Sequence, residues 1–311
     1  MEKSHSFSII IPVYRSANIL PELCDRIFRC FPSDPIEVIL IEDRGGDHSW
    51  DVILSLSEKN SRIRGFRMSR NYGQHNAILC GIRNARHELI ITMDDDLQHP
   101  PEELHKLIQK IDEGYDVVYG SPIKEQHGLW RDLASRITKI ALHSTIGAEN
   151  ARNVSAFRVL RTRLRDGFSE YKAPSVHIDV LLTWATTSFT SVRVRHDERK
   201  AGISGYTAKK LIRHALNMMT GYSTFPLQLA SILGFVISAF GMLILVYVLA
   251  LYAWRGVAVP GFYFITSIIS IFSGTQLIVL GIFGEYLSRM YVKSMDRPAY
   301  IVSHESNTAQ P

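Results

Sequence analysis

Three consecutive carboxylates, Asp94, Asp95 and Asp96, have the residue type and spacing that fit metal chemistry. They follow the apolar run 89–93 and precede two prolines, so they stand between a predicted buried strand and a predicted helix. Carboxylates this close repel one another unless a cation or hydrogen-bond donors compensate them. Mg²⁺ and Mn²⁺ prefer oxygen ligands and often bind one or two carboxylates together with substrate phosphates. A helix N-cap would explain one aspartate, whereas three in a row indicate a metal and phosphate site.

Polar side chains also follow the earlier predicted strands, which are the apolar runs 7–13 and 36–41 and the segment 63–68. Unbroken apolar runs separated by helix-like segments are typical of parallel strands buried on both faces. Such sheets bind ligands outside the carboxyl ends of their strands. We therefore expect Tyr14 to lie against a nucleotide ring and Asp43 to accept a hydrogen bond from the base. Taken singly, Tyr14 also fits a packed aromatic and Asp43 a turn residue, but their shared position at strand ends favours ligand binding.

The glycine motifs that hold dinucleotides and triphosphates do not occur at the predicted strand ends. No Gly-x-Gly-x-x-Gly follows the first strand, and no Walker lysine loop is present. A nicotinamide or flavin cofactor is therefore not expected. The alternation of strands and helices predicts an open, mostly parallel α/β sheet.

Two long segments without Lys, Arg, Asp or Glu, residues 215–254 and 256–284, indicate membrane spans. About 20 apolar residues in a helix cross a bilayer. Basic residues flank the pair, whereas the loop between them carries Arg255 alone. The positive-inside rule then predicts a multi-pass protein of the inner (cytoplasmic) membrane, with the N-terminal domain and both termini in the cytoplasm.

The net charge of +5 comes with basic residues gathered beside the apolar segments, where anionic membrane lipid attracts them. No nucleic-acid-binding motif occurs, so we expect no nucleic-acid partner. The three cysteines lack metal or disulfide spacing, as in proteins of reducing compartments.

Four parts are expected along the chain. They are an N-terminal cytoplasmic α/β domain at 1–206, an amphipathic helix at the membrane interface at 207–222, two transmembrane helices at 223–292 and a cytoplasmic tail at 293–311, disordered from Ser303. A cationic glycine loop that begins at Arg199 and Lys200 ends the first part and is a candidate for phosphate contact. Each arginine considered alone also fits a solvated charge.

The combined motifs resemble the membrane-bound polyprenyl-phosphate glycosyltransferases of inverting glycosyltransferase family 2, which include dolichol-phosphate mannose synthases and bactoprenol glucosyltransferases. The resemblance covers nearly the whole chain and rests on Ile10-Ile11-Pro12-Val13-Tyr14, Ser69-Arg70-Asn71-Tyr72-Gly73, residues 94–101, Phe157-Arg158, Gly202-Ile203-Ser204-Gly205-Tyr206, residues 283–287 and Arg297-Pro298. It implies a GT-A-like (Rossmann-like) domain. It also implies transfer of a sugar, with inversion, from a nucleotide-sugar to polyprenyl (undecaprenyl) phosphate. UDP is the favoured carrier, and GDP and dTDP stay open.

The resemblance also implies roles for individual residues. Asp94, Asp96 and Gln98 would hold Mg²⁺ or Mn²⁺, and Asp94, Asp96 and Arg158 would act in catalysis. The nucleotide contacts would be Pro12, Tyr14, Asp43, Arg70, Asp94 and Asp95, and the acceptor phosphate contacts Arg131, Arg199, Lys200 and Ser204. A homo-oligomer is expected, with small residues of the first span, Gly234, Ser238 and Gly241, as a possible helix contact.

Three departures from the family pattern leave other functions open. Ala156 stands where many relatives have an aspartate proposed as general base, Pro122 replaces a common arginine and Gly205 a common lysine. A missing base need not prevent transfer, because a phosphate monoester is largely dianionic at neutral pH. A processive polysaccharide synthase is one alternative, although its Gln-x-x-Arg-Trp motif is missing and two spans are few for a channel. A catalytically silent membrane scaffold with the same fold is the other.

Overall fold

The computed structural model of the 311-residue chain describes residues 5–122, 154–174, 176–197, 225–255 and 261–306. The chain divides into two compact units. The first comprises Met1–Ala208 and Asp296–Pro311, and the second comprises Lys209–Met295. The predicted amphipathic helix at 207–222 and the cationic loop that begins at Arg199 lie outside the described residues.

The first unit contains an eight-stranded sheet with helices on both faces. Its elements in chain order are β1 Phe7–Val13, α1 Leu20–Cys30, β2 Ile36–Glu42, α2 Ser49–Lys59, β3 Ile63–Met68, α3 Gln74–Asn84, β4 Leu89–Thr92, a 3₁₀ turn Pro101–Glu103, α4 Leu104–Asp112, β5 Val117–Pro122, β6 Arg158–Arg161, a 3₁₀ segment Thr162–Phe168, α5 Ile178–Ala185 and β7 Phe189–Val194, followed after the second unit by β8 Val302–Glu305. The strand order is β7-β5-β6-β4-β1-β2-β3-β8.

The sheet is mostly parallel, as the unbroken apolar runs predict. β3, β2, β1 and β4 are parallel neighbours, whereas β6 runs antiparallel between β4 and β5. Every residue of β1 and β2 is buried. Ile9 and Ile11 pack into the core on one face and Ile10 into the core on the other, so both faces are covered. This arrangement places the carboxyl ends of β1 to β4 at one edge of the sheet.

The C-terminal segment differs from the expectation of a disordered tail. Val302–Glu305 forms the edge strand β8, antiparallel to β3, and residues from Asp296 onward belong to the first unit. The prediction of disorder was wrong for residues 303–306, because a four-residue strand gains its stability from a neighbouring edge that lies far away in sequence.

The second unit contains two long apolar helices, α6 Phe225–Arg255 and α7 Phe262–Ser294. The segments Leu227–Ala250 and Ile271–Ser294 are long and apolar enough to cross a membrane. A Cβ atom on Gly241 would lie 2.8 Å from the ring of Phe272, so this glycine lets α6 approach α7 of the same chain. At Gly234 a Cβ atom would meet nothing within 4 Å, and a contact between chains there stays a prediction.

Candidate functional site

A cavity of about 310 Å³ lies at the carboxyl edge of β1, β2 and β4, beside the loop after β3. It is lined by Pro12, Val13, Tyr14, Asp43, Asn71, Gly73, Gln74, Asp94, Asp95 and Asp96. The structure therefore brings together the predicted residues that follow the first, second and fourth strands. Arg70 does not line the cavity, and its guanidinium lies 4.7 Å from the ring centroid of Tyr72. Its role as a nucleotide contact stays a prediction.

The middle aspartate of the triplet, Asp95, joins the end of β4 to the end of β1. Its Oδ2 accepts hydrogen bonds from the hydroxyl of Ser16 at 2.5 Å and from the backbone N–H of Tyr14 at 3.0 Å. Burial raises the pKa of Asp95, while these two donors oppose the rise. Asp95 thus fixes the position of residues 94–100, here called the aspartate loop, against the end of β1.

The outer aspartates reach the same cavity from a tight turn. Asp94 Oδ1 accepts a 2.6 Å hydrogen bond from the side-chain amide of Gln74, and Asp96 Oδ1 accepts one from the backbone N–H of Gln98 at 3.1 Å. Between Asp96 and Gln98, Leu97 has a φ of 60° although its side chain is buried. A positive φ is unfavourable for leucine, and such strain is typical of functional loops.

The carboxylates of Asp94 and Asp96 fit a divalent ion that binds together with a phosphate. In the part of the chain that the structure describes, no three His, Cys, Asp or Glu side chains come together to hold a metal by themselves. Mg²⁺ and Mn²⁺ are commonly bound by one or two carboxylates, with waters and phosphate oxygens completing the coordination. Gln98 does not line the cavity, so its role as a ligand stays a prediction.

Asp43 organises the wall of the cavity that the loop after β3 forms. Its carboxylate accepts hydrogen bonds from the backbone N–H groups of Tyr72 at 2.7 Å and Gly73 at 2.8 Å. Burial raises the pKa of Asp43, and the two amides oppose the rise. Gly73 has a φ of 91°, a conformation that glycine adopts easily, where the loop turns into α3. Tyr14 is 48% exposed, which leaves its ring accessible to a planar ligand.

Arg158 does not line the cavity, and its catalytic role stays a prediction. Its side chain is 2% exposed and forms a buried ion pair with Asp179. Its Nε donates to the hydroxyl of Thr92 at 3.1 Å, and Tyr119 donates to the same Asp179 carboxylate at 3.0 Å. The sequence motif singled out Arg158 but could not show where its side chain points, because the side chain of a β6 residue can lie on either face of the sheet. Through these contacts Arg158 joins β6 to Thr92 at the end of β4 and to Asp179 of α5.

Sequence reasoning overlooked an aromatic contact between the aspartate loop and the end of β7. The ring of His99 stacks on Phe157 with centroids 5.0 Å apart, and the ring of His196 meets His99 edge-on at 4.9 Å. The backbone N–H of Asp197 donates to the carbonyl of Gln98 at 2.8 Å. Burial, together with His196, lowers the pKa of His99 to about 4. His99 is therefore neutral near pH 7 and packs as an aromatic ring.

Other contributors were visible at strand ends but not singled out, namely Ser16, Asn71 and Gln74. Ala156 precedes Phe157, and its carbonyl accepts a 2.6 Å hydrogen bond from Thr92. The predicted acceptor contacts Arg131, Arg199, Lys200 and Ser204 lie outside the described residues, and their roles stay predictions.

Comparison with known proteins shows which family this chain belongs to. The model of glycosyl transferase family 2 matches residues 8–167. An undecaprenyl-phosphate 4-deoxy-4-formamido-L-arabinose transferase from Pseudomonas aeruginosa is 32% identical over 308 residues, covering 95% of this chain and 88% of the relative. The transferase of the same name from Salmonella newport is 35% identical over 300 residues, covering 95% and 92%.

Solved structures share the fold at low sequence identity. Glucosyl-3-phosphoglycerate synthase from Mycobacterium tuberculosis aligns with a TM-score of 0.51 at 12% identity, over 70% of this chain and 80% of that one. Its complex with Mn²⁺, UDP-glucose and phosphoglyceric acid gives a TM-score of 0.50 at 15% identity, over 69% and 79%. The predicted GT-A-like fold class is confirmed.

Proposed function

This chain belongs to glycosyl transferase family 2, and we propose on that premise that it transfers a sugar from a nucleotide-sugar to polyprenyl phosphate. The relatives named as undecaprenyl-phosphate sugar transferases match it along almost its whole length, which supports the same class of acceptor. The observation that carries the proposal is the position of Asp94 and Asp96 in one cavity with the ends of β1 and β2.

The donor is a nucleoside diphosphate sugar, with UDP as the carrier. Tyr14 offers an exposed ring for the base, and Asp43 lines the same cavity. Two of the four lone-pair sites of the Asp43 carboxylate are used by the amides of Tyr72 and Gly73, so the carboxylate can still accept a hydrogen bond from a base. The diphosphate would then extend toward the aspartate triplet.

Asp94 and Asp96 would hold Mg²⁺ or Mn²⁺ against the diphosphate. The bound cation supplies charge stabilisation for the departing nucleoside diphosphate. The acceptor phosphate attacks the anomeric carbon from the side opposite this leaving group, so the configuration inverts. A phosphate monoester is already largely dianionic near neutral pH. Ala156 is therefore compatible with the reaction, which depends on positioning and charge screening more than on a general base.

The acceptor is a lipid, and the two apolar helices would keep the enzyme in the membrane that contains it. We place both helices across the inner membrane and the catalytic unit in the cytoplasm. The uneven distribution of Lys and Arg supports this orientation, because the flanks of the pair are basic and the connecting loop is not.

The test is transfer by the purified full chain in lipid nanodiscs. A panel of labelled UDP-, GDP- and dTDP-sugars is supplied with undecaprenyl phosphate and Mn²⁺, and the lipid fraction is analysed for one added sugar. We expect one donor to label the lipid and Asp96→Ala to abolish the label while the protein stays folded. Asp51→Ala, at an exposed aspartate of α2, is the matched control and should keep full activity.

Two outcomes would overturn this proposal. Unchanged turnover of Asp96→Ala would reject the metal role of the triplet. Failure of UDP, GDP and dTDP to bind the wild-type chain in Mn²⁺ would favour the silent scaffold, and extension of a saccharide chain would favour a synthase.

A further inference from the structure

The chain returns to the sheet unit after the second apolar helix. Residues 299–306, here called the return segment, lie against β3 and the start of α3. Within the segment, Ala299 and Ser306 are each 3% exposed, so both ends of the segment are buried. The return segment is thus part of the folded unit that contains the donor cavity, although it comes last in the described chain.

The return segment covers the edge of the sheet along β3 from Gly65 to Met68. β8 pairs antiparallel to β3, with Phe66 opposite Glu305 and Met68 opposite Val302. At the far end, Ser306 N donates to the carbonyl of Gly65 at 2.8 Å and Ser306 Oγ accepts from Gly65 N at 2.6 Å. These bonds fix the register of the segment.

At the other end, the return segment is bonded to the cavity wall. The backbone N–H of Ser69, where the loop after β3 begins, donates to the carbonyl of Ile301 at 2.8 Å. Asn76, in the first turn of α3, is 5% exposed, and its amide nitrogen donates to Ala299 O at 2.5 Å and Pro174 O at 3.0 Å. The backbone N–H of Asn76 also donates to the carbonyl of Gly73 at 3.1 Å.

The segment between these two attachments is the wall itself. Asn71, Gly73 and Gln74 line the cavity, and the attachments at Ser69 and Asn76 lie two positions before the first and two positions after the last of them. Both bonding partners, Ile301 O and Ala299 O, come from the return segment. Loss of the segment would therefore remove an attachment on each side of the wall and leave the buried amide of Asn76 without one of its two acceptors. The bonds of Tyr72 and Gly73 to Asp43 would then hold the wall without this support.

We propose that the return segment is a positioning element of the donor site, which holds the wall formed by Asn71, Gly73 and Gln74 through its bonds to Ser69 and Asn76. The site would then be complete only after the chain has come back from the two apolar helices. This inference rests on the proposed function, because it assigns the cavity to a nucleoside diphosphate.

The direct test measures UDP binding to the full chain in the presence of Mn²⁺ by calorimetry. Asn76→Asp keeps the shape but turns the donor into an acceptor facing two carbonyls. We expect the Kd for UDP to rise about tenfold or more, as the loss of a buried hydrogen bond implies. Asn76→Ala should raise it less. Asn60→Asp is the matched control, because it makes the same amide-to-acid change after α2 and keeps the oxygen that accepts from the backbone N–H of Arg62 at 3.0 Å. It should bind UDP as the wild type does.

A second measurement reports on the segment itself. Cys80 is fully buried beside Tyr300 of the return segment. In Asn76→Asp, a thiol reagent should label Cys80 faster than in the wild type. In turnover, KM for the nucleotide-sugar should rise while KM for polyprenyl phosphate stays constant. Weaker UDP binding without faster labelling of Cys80 would overturn the role of the return segment. The Asn76 side chain would then affect UDP binding without loosening the return segment.

The remaining outcomes separate this inference from the proposed function. If the wild type binds UDP and both Asn76 variants bind it equally well, the inference fails and the proposed function stands. If the wild type binds none of UDP, GDP and dTDP in Mn²⁺, both fail.

Discussion

The hydroxyl of Ser16 donates a 2.5 Å hydrogen bond to the Oδ2 atom of Asp95, the middle carboxylate of the aspartate triplet. The backbone N–H of Tyr14 donates to the same oxygen. The three adjacent aspartates therefore have different tasks. Asp95 joins the ends of β4 and β1, while Asp94 and Asp96 present carboxylates to the cavity for a cation.

Replacing Asp95 should weaken the site without removing its dependence on metal. In Asp95→Asn, an amide group must face the donors of Ser16 and Tyr14, and we expect a loss of about 1–3 kcal/mol in the free energy of unfolding. KM for the nucleotide-sugar should rise, while the Mn²⁺ concentration for half-maximal activity should stay near the wild-type value. In Asp94→Asn, by contrast, the Mn²⁺ concentration for half-maximal activity should rise, while the free energy of unfolding should stay near the wild-type value. An Asp95→Asn enzyme with wild-type stability and a large shift in Mn²⁺ requirement would contradict this division of tasks.

Metal and nucleotide should bind cooperatively. Four aspartates of the described residues line the cavity, and Asp94 and Asp96 are the two proposed to hold the cation. No group of three or more His, Cys, Asp or Glu side chains that could hold a metal occurs in the same part of the chain. We therefore expect weak binding of Mn²⁺ alone and at least about tenfold tighter binding in the presence of saturating UDP. By linkage, Mn²⁺ should strengthen UDP binding by the same factor. Calorimetric titrations in both orders measure the two factors, and tight Mn²⁺ binding without nucleotide would contradict the shared site.

The strands and the site edge could be predicted from sequence because each depends on local patterns. The strand predicted at 63–68 is β3 of the structure, with the same bounds. The polar residues that follow β1, β2 and β4 line one cavity, as predicted. Tertiary partners could not be predicted in this way. The return segment pairs with β3 across more than 200 positions, since Gly65 bonds to Ser306. The burial of Arg158 likewise depends on its ion pair with Asp179, and Asp179 belongs to no motif that would reveal this partner in the sequence.

Breaking the ion pair between Arg158 and Asp179 should destabilise the protein rather than block the reaction directly. Removing one partner of a buried pair leaves an uncompensated charge and typically costs about 3–5 kcal/mol. We expect Arg158→Met to lower the thermal midpoint strongly and Arg158→Met with Asp179→Leu to recover part of the loss. At a temperature where the double variant is folded, its kcat should stay within about tenfold of the wild type. A folded double variant without turnover would support a catalytic role for Arg158.

The contact between His196 and His99 should position the segment after β7. The ring of His196 and the backbone N–H of Asp197 both contact the aspartate loop, and the cationic loop expected to bind the acceptor phosphate follows directly. His196→Ala should therefore raise KM for polyprenyl phosphate about threefold to tenfold. His196→Phe should keep the ring contact, and its KM for polyprenyl phosphate should stay near the wild-type value. His48→Ala, at a fully exposed histidine, is the control. A change in KM for the nucleotide-sugar alone would show that the contact serves the other substrate.

Stability at acid pH should depend on Asp116, which precedes β5. Burial raises its pKa, but hydrogen bonds from Arg163 at 2.7 Å and Thr186 at 2.7 Å, with the charge of Arg161, outweigh it and lower the pKa below the ordinary value. A carboxyl group with a lower pKa in the folded state adds stability above its unfolded pKa of about 3.9, and this stability is lost as the pH falls through the folded value. Asp116→Asn should thus lower the free energy of unfolding near pH 7. The difference from the wild type should shrink below about pH 4, as followed by denaturant unfolding. A difference that does not change with pH would mean that the Asp116 carboxylate stabilises the fold through its shape rather than its charge.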